Sequence, residues 1–460
     1  MMNQVHFIGI GGTGLSALAR VLVERGVKVT GSDRQLSALA LDLVKIGVKV
    51  CEGHDPSLLQ GADLVVRSSA VPDNDPEVKA ALQAGIPVLK RSEFLDRMLD
   101  GYDCIAIAGT HGKTTTTAMT AWMLHEIGLD PSFVIGGVSE NLGTNAHHGS
   151  GKYFVIEADE YDRMFLGLHP QVAIVTYVEH DHPDCFPSYS AYLEAFSQFV
   201  RLIKPGGKLL YCQDNKGARV VQLFTSESID AFSYGVEYGS AYEALDIKVN
   251  EKGSYSFRAV FQEHEELAIV DLQVPGLHNV RNALGALAAV HQLGLPLQPA
   301  ASALGTFTGT GRRFDILGEA GGVTIIDDYA HHPTELKATL EAARSRYPDR
   351  HIWVVWQPHT YSRTQSLLPQ FVKAFGQADH LIVTAIYAAR EKDNGFTANQ
   401  VVEQMFHPDA RYIPALDDVS AYLVNSLKSG DVLLVCSAGD ADNISKTVLK
   451  ALSKEEVRNA

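Results

Sequence analysis

The sequence predicts an α/β protein of three successive domains, at about residues 1–100, 101–315 and 316–460. Three observations carry that expectation. The chain has 460 residues, too many for one core and suited to about three units of ~150 residues. Short apolar runs recur along it, and most end in glycine, hydroxyl or charged residues, as strands of a parallel sheet do on their ligand side. Two of those ends are glycine loops that lead straight into a helix.

The first element, Val5 to Ile10, reads as a strand followed by Gly9-x-Gly11-x-x-Gly14 and a helix to about Glu24. Val27 to Thr30 is the next strand and ends at Ser32-Asp33. This is the fingerprint of a dinucleotide-binding βαβ unit, acidic residue included, so the first domain is expected to be Rossmann-like and an NAD-dependent dehydrogenase is one reading. The physics admits another. Gly11 and Gly12 let any pyrophosphate approach a helix start. Asp33 can equally be a strand-end residue that caps a turn. Leu64 to Ala70 is a further strand ending in small hydroxyl residues, and Pro87 to Lys90 leads to Arg91-Ser92-Glu93.

In the middle third, Cys104 to Ala108 is a short buried strand that breaks into Gly109-Thr110-His111-Gly112-Lys113-Thr114. Met119, Trp122, Met123 and Ile127 give the following helix an inner face. Gly109 and Gly112 remove side chains that would hold a phosphate away from the backbone. The helix start offers unpaired N–H groups, Lys113 a mobile positive charge, and Thr114 a hydroxyl for a phosphate-bound magnesium ion. The common loop G-x-x-x-x-G-K-[ST] would need glycine at 107, which is Ile107. The pattern predicts a P-loop-type ATPase sheet with a shorter loop.

Tyr153 to Glu160 is a strand ending in carboxylates, and Val172 to Thr176 leads into Glu179-His-Asp-His-Pro-Asp184. Glu157 is the natural partner of Thr114 on one magnesium ion. His182 suits a second ion or a phosphate. The pair His180 and His182 lacks further N/S ligands nearby, which disfavours zinc. Tyr189 to Leu202 reads as a helix and Gly206 to Tyr211 as a strand. From Tyr242 to Val274 the alternation of Ile247, Val249, Tyr255, Phe257 and Val260 suggests antiparallel strands beside the main sheet. Gly276-x-His278-Asn279-x-x-Asn282 opens an alanine-rich helix that Asn279 can cap. Thr308 to Asp315 reads as a hinge. Gly309 and Gly311 let it bend, and Arg312 and Arg313 suit phosphate oxygens, with solvated surface arginines as the bland alternative.

The last third repeats the α/β pattern and is again expected to be Rossmann-like. Val323 to Ile326 is capped by Asp327-Asp-Tyr-Ala-His-His-Pro-Thr-Glu335, with Pro333 suited to a first helical turn. Ile352 to Trp356 ends in Gln357-Pro-His-Thr-Tyr-Ser-Arg-Thr364, His380 to Thr384 leads to Tyr387-Ala-Ala-Arg-Glu391, and Asp431 to Cys436 ends in Ser437-Ala-Gly-Asp440. Four polar strand ends in a row imply one continuous ligand-facing rim.

Composition narrows the function. A net charge of -15 disfavours nucleic acid as partner. Five cysteines without a C-x-x-C pair disfavour structural zinc and a disulfide framework, so buried free thiols are expected. The N-terminus runs directly into a strand and no apolar run approaches a membrane span. The expectation is a cytoplasmic enzyme without membrane insertion, monomeric or weakly dimeric.

G-T-H-G-K-T-T resembles the ATP loop of the Mur ligases, which build the peptide stem of bacterial cell walls. The first-domain motifs G-I-G-G-x-G, G-S-D, S-S-A and N-D-P-E are similar to that family's UDP-binding domain. D-D-Y-A-H-H-P-T-E and Q-P-H-x-Y-S-R-T resemble its alanine-adding branch, and the likeness runs nearly the whole chain. It implies that Gly11, Gly12, Thr13, Gly14, Ser32, Asp33, Ser69 and Ala70 surround a UDP moiety. It implies that ATP is held by Gly109, Thr110, His111, Gly112, Lys113, Thr114 and Thr115, with His278 and Asn282 at the adenine and Arg312 and Arg313 at phosphate. Thr114, Glu157 and His182 would bind magnesium. Tyr329, His331, His359 and Arg363 would lie near the acceptor carboxylate, the incoming alanine and the phosphates. Catalysis would fall to Lys113, His182, His331, His359 and Arg363.

The implied reaction is ATP-dependent amide formation between the lactyl carboxylate of UDP-N-acetylmuramate and L-alanine through an acyl phosphate, with Mg2+. Two departures stand out: Thr360 where the family often has arginine, and Ser437 opening a loop that usually begins with glycine. No carbamylated lysine is assigned, nor expected in this branch. The nearest rival is a recycling ligase that attaches a whole tripeptide to the same sugar nucleotide. The dehydrogenase reading leaves the G-K-T loop and both acidic strand ends unexplained. A non-catalytic nucleotide switch is the third reading.

Overall fold

The computed structural model describes residues 2–459 except 238, 263 and 264. Three sheets follow one another. The first joins β1 (Gln4–Ile8), β2 (Lys28–Asp33), β3 (Lys49–Glu52), β4 (Leu64–Arg67) and β5 (Val88–Lys90) in the order β3-β2-β1-β4-β5. All its pairings are parallel. Central β1 is buried along its whole length, as a parallel strand covered on both faces must be.

The second sheet holds ten strands. They are β6 (Asp103–Ala108), β7 (Ser132–Ser139), β8 (Thr144–His147), β9 (Tyr153–Ala158), β10 (Val172–Val175), β11 (Lys208–Cys212), β12 (Asp230–Gly235), β13 (Tyr242–Val249), β14 (Tyr255–Phe261) and β15 (Glu265–Asp271). Their order is β15-β14-β13-β12-β11-β10-β6-β9-β7-β8. The antiparallel strands β13–β15 are present, but they continue the main sheet at its edge, because β13 pairs in parallel with β12. The third sheet runs β16-β17-β21-β18-β19-β20, from β16 (Asp315–Ala320), β17 (Val323–Asp328), β18 (Ile352–Gln357), β19 (His380–Val383), β20 (Ala410–Tyr412) and β21 (Val432–Ser437). Only β16 is antiparallel to its neighbour.

The first two sheets share one continuous hydrophobic cluster, to which Phe7 and Phe94 contribute an edge-to-face pair. The helix Thr13–Glu24 packs on β7 and β8. The third sheet has a separate cluster on each face. Strands β3, β16 and β20 escaped the sequence reading because they are edges without a continuous apolar run. Cys104, Cys212 and Cys436 are buried free thiols, while Cys51 and Cys185 are half-buried. Among the described residues no helix is long and apolar enough to cross a membrane.

Candidate active site

The loop after β6 needs glycine at two positions. Gly109 has φ +144°, and a Cβ there would lie 2.0 Å from Thr176 Oγ1. Gly112 has φ +83° and would set a Cβ 2.5 Å from Asn282 Oδ1. Gly112 is also the N-cap of the helix Lys113–Glu126. The loop is pinned from behind. The Thr176 hydroxyl donates to the His111 carbonyl at 2.6 Å, and the Thr110 hydroxyl donates to the Glu179 carbonyl at 2.9 Å.

Lys113 donates to the carbonyls of Gly109 and Thr110 and pairs with Glu160 at 2.9 Å. Glu160 is fully buried and also accepts from the Tyr192 hydroxyl at 2.9 Å. Burial lowers the Lys113 ammonium, but the Glu160, Glu157 and Asp159 carboxylates outweigh it and hold it above its ordinary value. Glu157 accepts from the Gly136 N–H at 2.8 Å and lies beside the Thr114 hydroxyl. Burial raises its carboxyl, with Lys113 and Thr114 opposing. A hydroxyl beside a carboxylate is an oxygen donor set suited to a hard divalent cation. The His182 imidazole lies farther back, 3.7 Å from both Glu160 and Asp181.

A cleft of about 380 Å³ opens over this loop. His111, Gly112, Thr114, Thr115, His278, Asn282 and Arg313 line it, together with Tyr177 and Tyr234. Gly109, Thr110 and Lys113 belong to the loop but do not line the cleft, the Lys113 ammonium being turned back onto the loop carbonyls and Glu160. Burial pushes His278 down to about 4, so its ring is neutral. Two expectations change here. The helix Leu277–Gln292 has Gly276 as its N-cap, and Asn279 is no cap: its amide donates to the Pro275 carbonyl at 2.7 Å and its oxygen accepts from Asn282. Arg312 turns away from the cleft, with Nε on Asp327 at 3.1 Å and Nη2 donating to the Ser437 carbonyl at 2.7 Å. Of the two hinge arginines, only Arg313 faces the nucleotide-sized space.

The rim of the third sheet closes against the loop. His111 spans two carboxylates, Glu179 at 2.5 Å and Glu335 at 3.1 Å. Burial disfavours its charge, but Glu335 and Glu179 outweigh burial and raise it to about 9. Glu335 closes a capping box on the helix Pro333–Arg346 by accepting from the His331 and His332 N–H groups. Arg363 crosses to the central unit, with Nε donating to Asp181 at 2.8 Å while Nη1 donates to His359 Nδ1 at 2.8 Å. Burial opposes the Asp181 charge, yet His182 and Arg363 hold its carboxyl well below its usual range. Thr360, with φ +63°, caps the short helix of Arg363. The His331 and His359 rings lie 5.8 Å apart. Burial pulls His331 to about 3 and His359 to about 4, with Arg363 adding to both. Tyr329 stacks under both hinge arginines, 5.1 and 5.2 Å from ring centre to guanidinium carbon.

A second cleft of about 280 Å³ lies over the first glycine loop. Gly12, Thr13, Gly14, Ser69 and Ala70 line it as expected, with Lys90, Arg91, Asp159, Tyr161 and Arg390. Gly11, Ser32 and Asp33 do not. Ser32 is fully buried and its hydroxyl donates to Glu77, and Asp33 accepts the Gly11 N–H at 2.8 Å. Asp33 thus holds the turn, the bland alternative for a strand-end acid. In the H-x-H pair His180 Nε2 is spent on the Phe186 carbonyl, and the metal-sized groups among the described residues are His111/Glu179/His332 and His54/Asp75/Glu77.

Glu160, Glu179, Asp181 and Glu335 were missed as site residues. All four sit in runs the sequence had flagged, but their partners come from other elements. Arg390 also sits in a flagged run, Tyr387 to Glu391, but nothing in that run pointed to the first cleft.

The comparisons agree with this geometry. Residues 4–103 match the profile of the Mur ligase family catalytic domain, 107–290 the Mur ligase middle domain, and 312–439 the Mur ligase glutamate ligase domain. The UDP-N-acetylmuramate–L-alanine ligase of Desulfosudis oleivorans is 43% identical, covering 97% of this chain and 98% of that protein. The protein of the same name from Acetivibrio thermocellus is 40% identical, with 97% and 96% covered. The crystal structure of UDP-N-acetylmuramate-alanine ligase from Thermotoga maritima matches with a TM-score of 0.83 at 26% identity, covering 99% and 100%. A murein peptide ligase from Psychrobacter arcticus matches with a TM-score of 0.72 at 28% identity, covering 98% and 99%. A glycine-lysine loop, an acidic pair of strand ends and a histidine-arginine rim, in one chain alike to these over its full length, have a single common source: this protein belongs to the Mur ligase family.

Proposed function

We propose that this protein joins L-alanine to the lactyl carboxylate of UDP-N-acetylmuramate with ATP as phosphoryl donor, releasing ADP and phosphate. The carrying observation is that the Gly109–Thr114 loop faces the rim of His331, His359 and Arg363 across joined sheets. The full-length likeness to alanine ligases favours L-alanine over the tripeptide of the recycling branch. Family membership leaves no place for the dehydrogenase.

A carboxylate is a poor electrophile because its oxygen leaves badly. Its attack on the γ-phosphorus gives an acyl phosphate and ADP. Attack by the amine of alanine on the acyl carbon then expels phosphate and forms the amide. Lys113 leaves Glu160 for the phosphates, and Arg313 faces the same space, so both offset charge that develops in transfer. Magnesium would be held by the oxygens of Thr114 and Glu157 and would neutralise phosphate charge; a nitrogen ligand such as His182 suits it less. His331 and His359, at about 3 and 4, are weak bases at neutral pH and orient the amino acid instead of deprotonating it. His359 Nδ1 is taken by Arg363, which leaves its other ring nitrogen to donate.

In this reading residues 1–100 hold the sugar nucleotide, 101–315 the ATP, and 316–460 the amino acid. Every residue invoked comes from one chain, so a monomer suffices. The substrates place the enzyme in the cytoplasm. The test is phosphate release with UDP-N-acetylmuramate, ATP and magnesium against a panel of amino acids and the tripeptide. Alanine-dependent release is expected. Release with the tripeptide alone would move the protein to the recycling branch, and no release with any acceptor would leave a nucleotide switch.

A further inference from the structure

The cleft over the first glycine loop has one wall from the third sheet, and that wall is Arg390. Its guanidinium carbon lies 5.0 Å from the centre of the Tyr161 ring, which belongs to the central unit. Tyr161 is itself fixed, its hydroxyl donating to Asp184 at 2.9 Å. No ion pair ties Arg390 to a carboxylate among the described residues. Arg91, the other guanidinium in the cleft, is spent on Asp159 at 2.9 Å. Arg390 is therefore an uncommitted cation facing the start of the helix Thr13–Glu24, where backbone N–H groups await an anion.

The segment that carries it is built to hold it there. Tyr387 N–H donates to the Pro358 carbonyl at 2.8 Å, and Thr360 N–H donates back to the Tyr387 carbonyl at 2.9 Å. Beyond the arginine, Glu391 accepts from the N–H and hydroxyl of Ser362. Ala389 between these anchors has φ +51°, a left-handed conformation that a residue with a Cβ seldom adopts without such support. Ser362 adjoins Arg363, whose ion pair with Asp181 docks the third sheet on the second. Arg390 therefore enters the first cleft together with that docking.

We propose that Arg390 binds the diphosphate of the UDP-sugar, so that the C-terminal unit completes the sugar-nucleotide site and binding there is coupled to closure. The inference rests on the reading of this cleft as the UDP-N-acetylmuramate site. An arginine fork on phosphate oxygens is a charge-assisted contact, and its loss corresponds to about a 10- to 100-fold weaker Kd.

The experiment is calorimetry on the full chain with UDP-N-acetylmuramate, UDP and ATP, for wild type, Arg390→Ala and Arg390→Lys, at two salt concentrations. Expected is a 10- to 100-fold loss for both UDP-N-acetylmuramate and UDP in Arg390→Ala, with partial recovery in Arg390→Lys. ATP affinity should stay within twofold and the salt dependence of UDP binding should shrink. Wild-type affinity for UDP in Arg390→Ala overturns the proposal. A loss confined to UDP-N-acetylmuramate assigns the arginine to the lactyl carboxylate and overturns it too. Equal losses for ATP and UDP point to a structural defect and reject the specific role. If wild type binds neither UDP compound, the reading of the cleft itself falls.

Discussion

Replacing Lys113 by methionine should do two separable things. The lysine is paired at 2.9 Å with Glu160, whose side chain has no exposed surface. At that distance and an effective dielectric of about 20 the attraction is roughly 6 kcal/mol, set against several kcal/mol for burying both charges. Lys113→Met removes the attraction and leaves the buried carboxylate with the Tyr192 hydroxyl at 2.9 Å and the His182 imidazole at 3.7 Å. The expected loss is about 3–5 kcal/mol. For a unit of this size that is a fall of roughly 6–20 °C in its melting step. Adding Glu160→Gln removes the stranded charge, so Lys113→Met/Glu160→Gln should melt within a few degrees of wild type. Alanine-dependent phosphate release should be lost in both, because the cation that meets the phosphates is gone. Differential scanning fluorimetry and the phosphate assay read the two effects independently. If Lys113→Met melts like wild type, Glu160 does not depend on Lys113. If the refolded double variant keeps its activity, the loop is not the site of phosphoryl transfer.

Other perturbations follow from the same contacts. Gly112→Ala forces a Cβ into positive φ and to 2.5 Å from Asn282 Oδ1; a cost of about 1–2 kcal/mol from backbone alone should weaken ATP binding at least severalfold by calorimetry, and unchanged affinity would refute the tight-loop account. His111 is raised to about 9 from 6.5 by Glu335 and Glu179 against burial. Its share of stability is therefore full below pH 6.5 and lost as pH rises through about 9. The melting temperature of wild type should fall over that window more steeply than that of His111→Gln, and parallel curves would show that the bridge carries no weight. Glu157→Gln removes a carboxylate that the Thr114 hydroxyl contacts, and should shift the magnesium concentration for half-maximal phosphate release upward by about tenfold or more. An unchanged magnesium curve would move the metal elsewhere.

Local chemistry made much of this protein legible. Strands such as β6, β18 and β21 announced themselves because a parallel strand covered on both faces needs an unbroken apolar run. The glycine loops were readable because a phosphate cradle forbids side chains where the backbone must turn. The edge strands β3, β16 and β20 gave no such run and stayed hidden. Ser32 and Asp33 looked like ligand contacts, since their motif is one. In the fold they serve Glu77 and Gly11, and no spacing rule distinguishes a strand-end acid that meets a ligand from one that holds a turn.

The sequence by itself located the glycine loops and the helix starts that follow them, because a glycine-lysine turn with its helix start is complete within a few residues. Tertiary structure alone decided which charges neutralise one another, Lys113 with Glu160, His111 between Glu179 and Glu335, Arg363 with Asp181, and which cation is left over a tyrosine ring, Arg390 on Tyr161. Those pairs join residues 47 to 229 positions apart or bridge different sheets. Electrostatic interaction depends on distance and burial in space, and neither is written in the order of the chain.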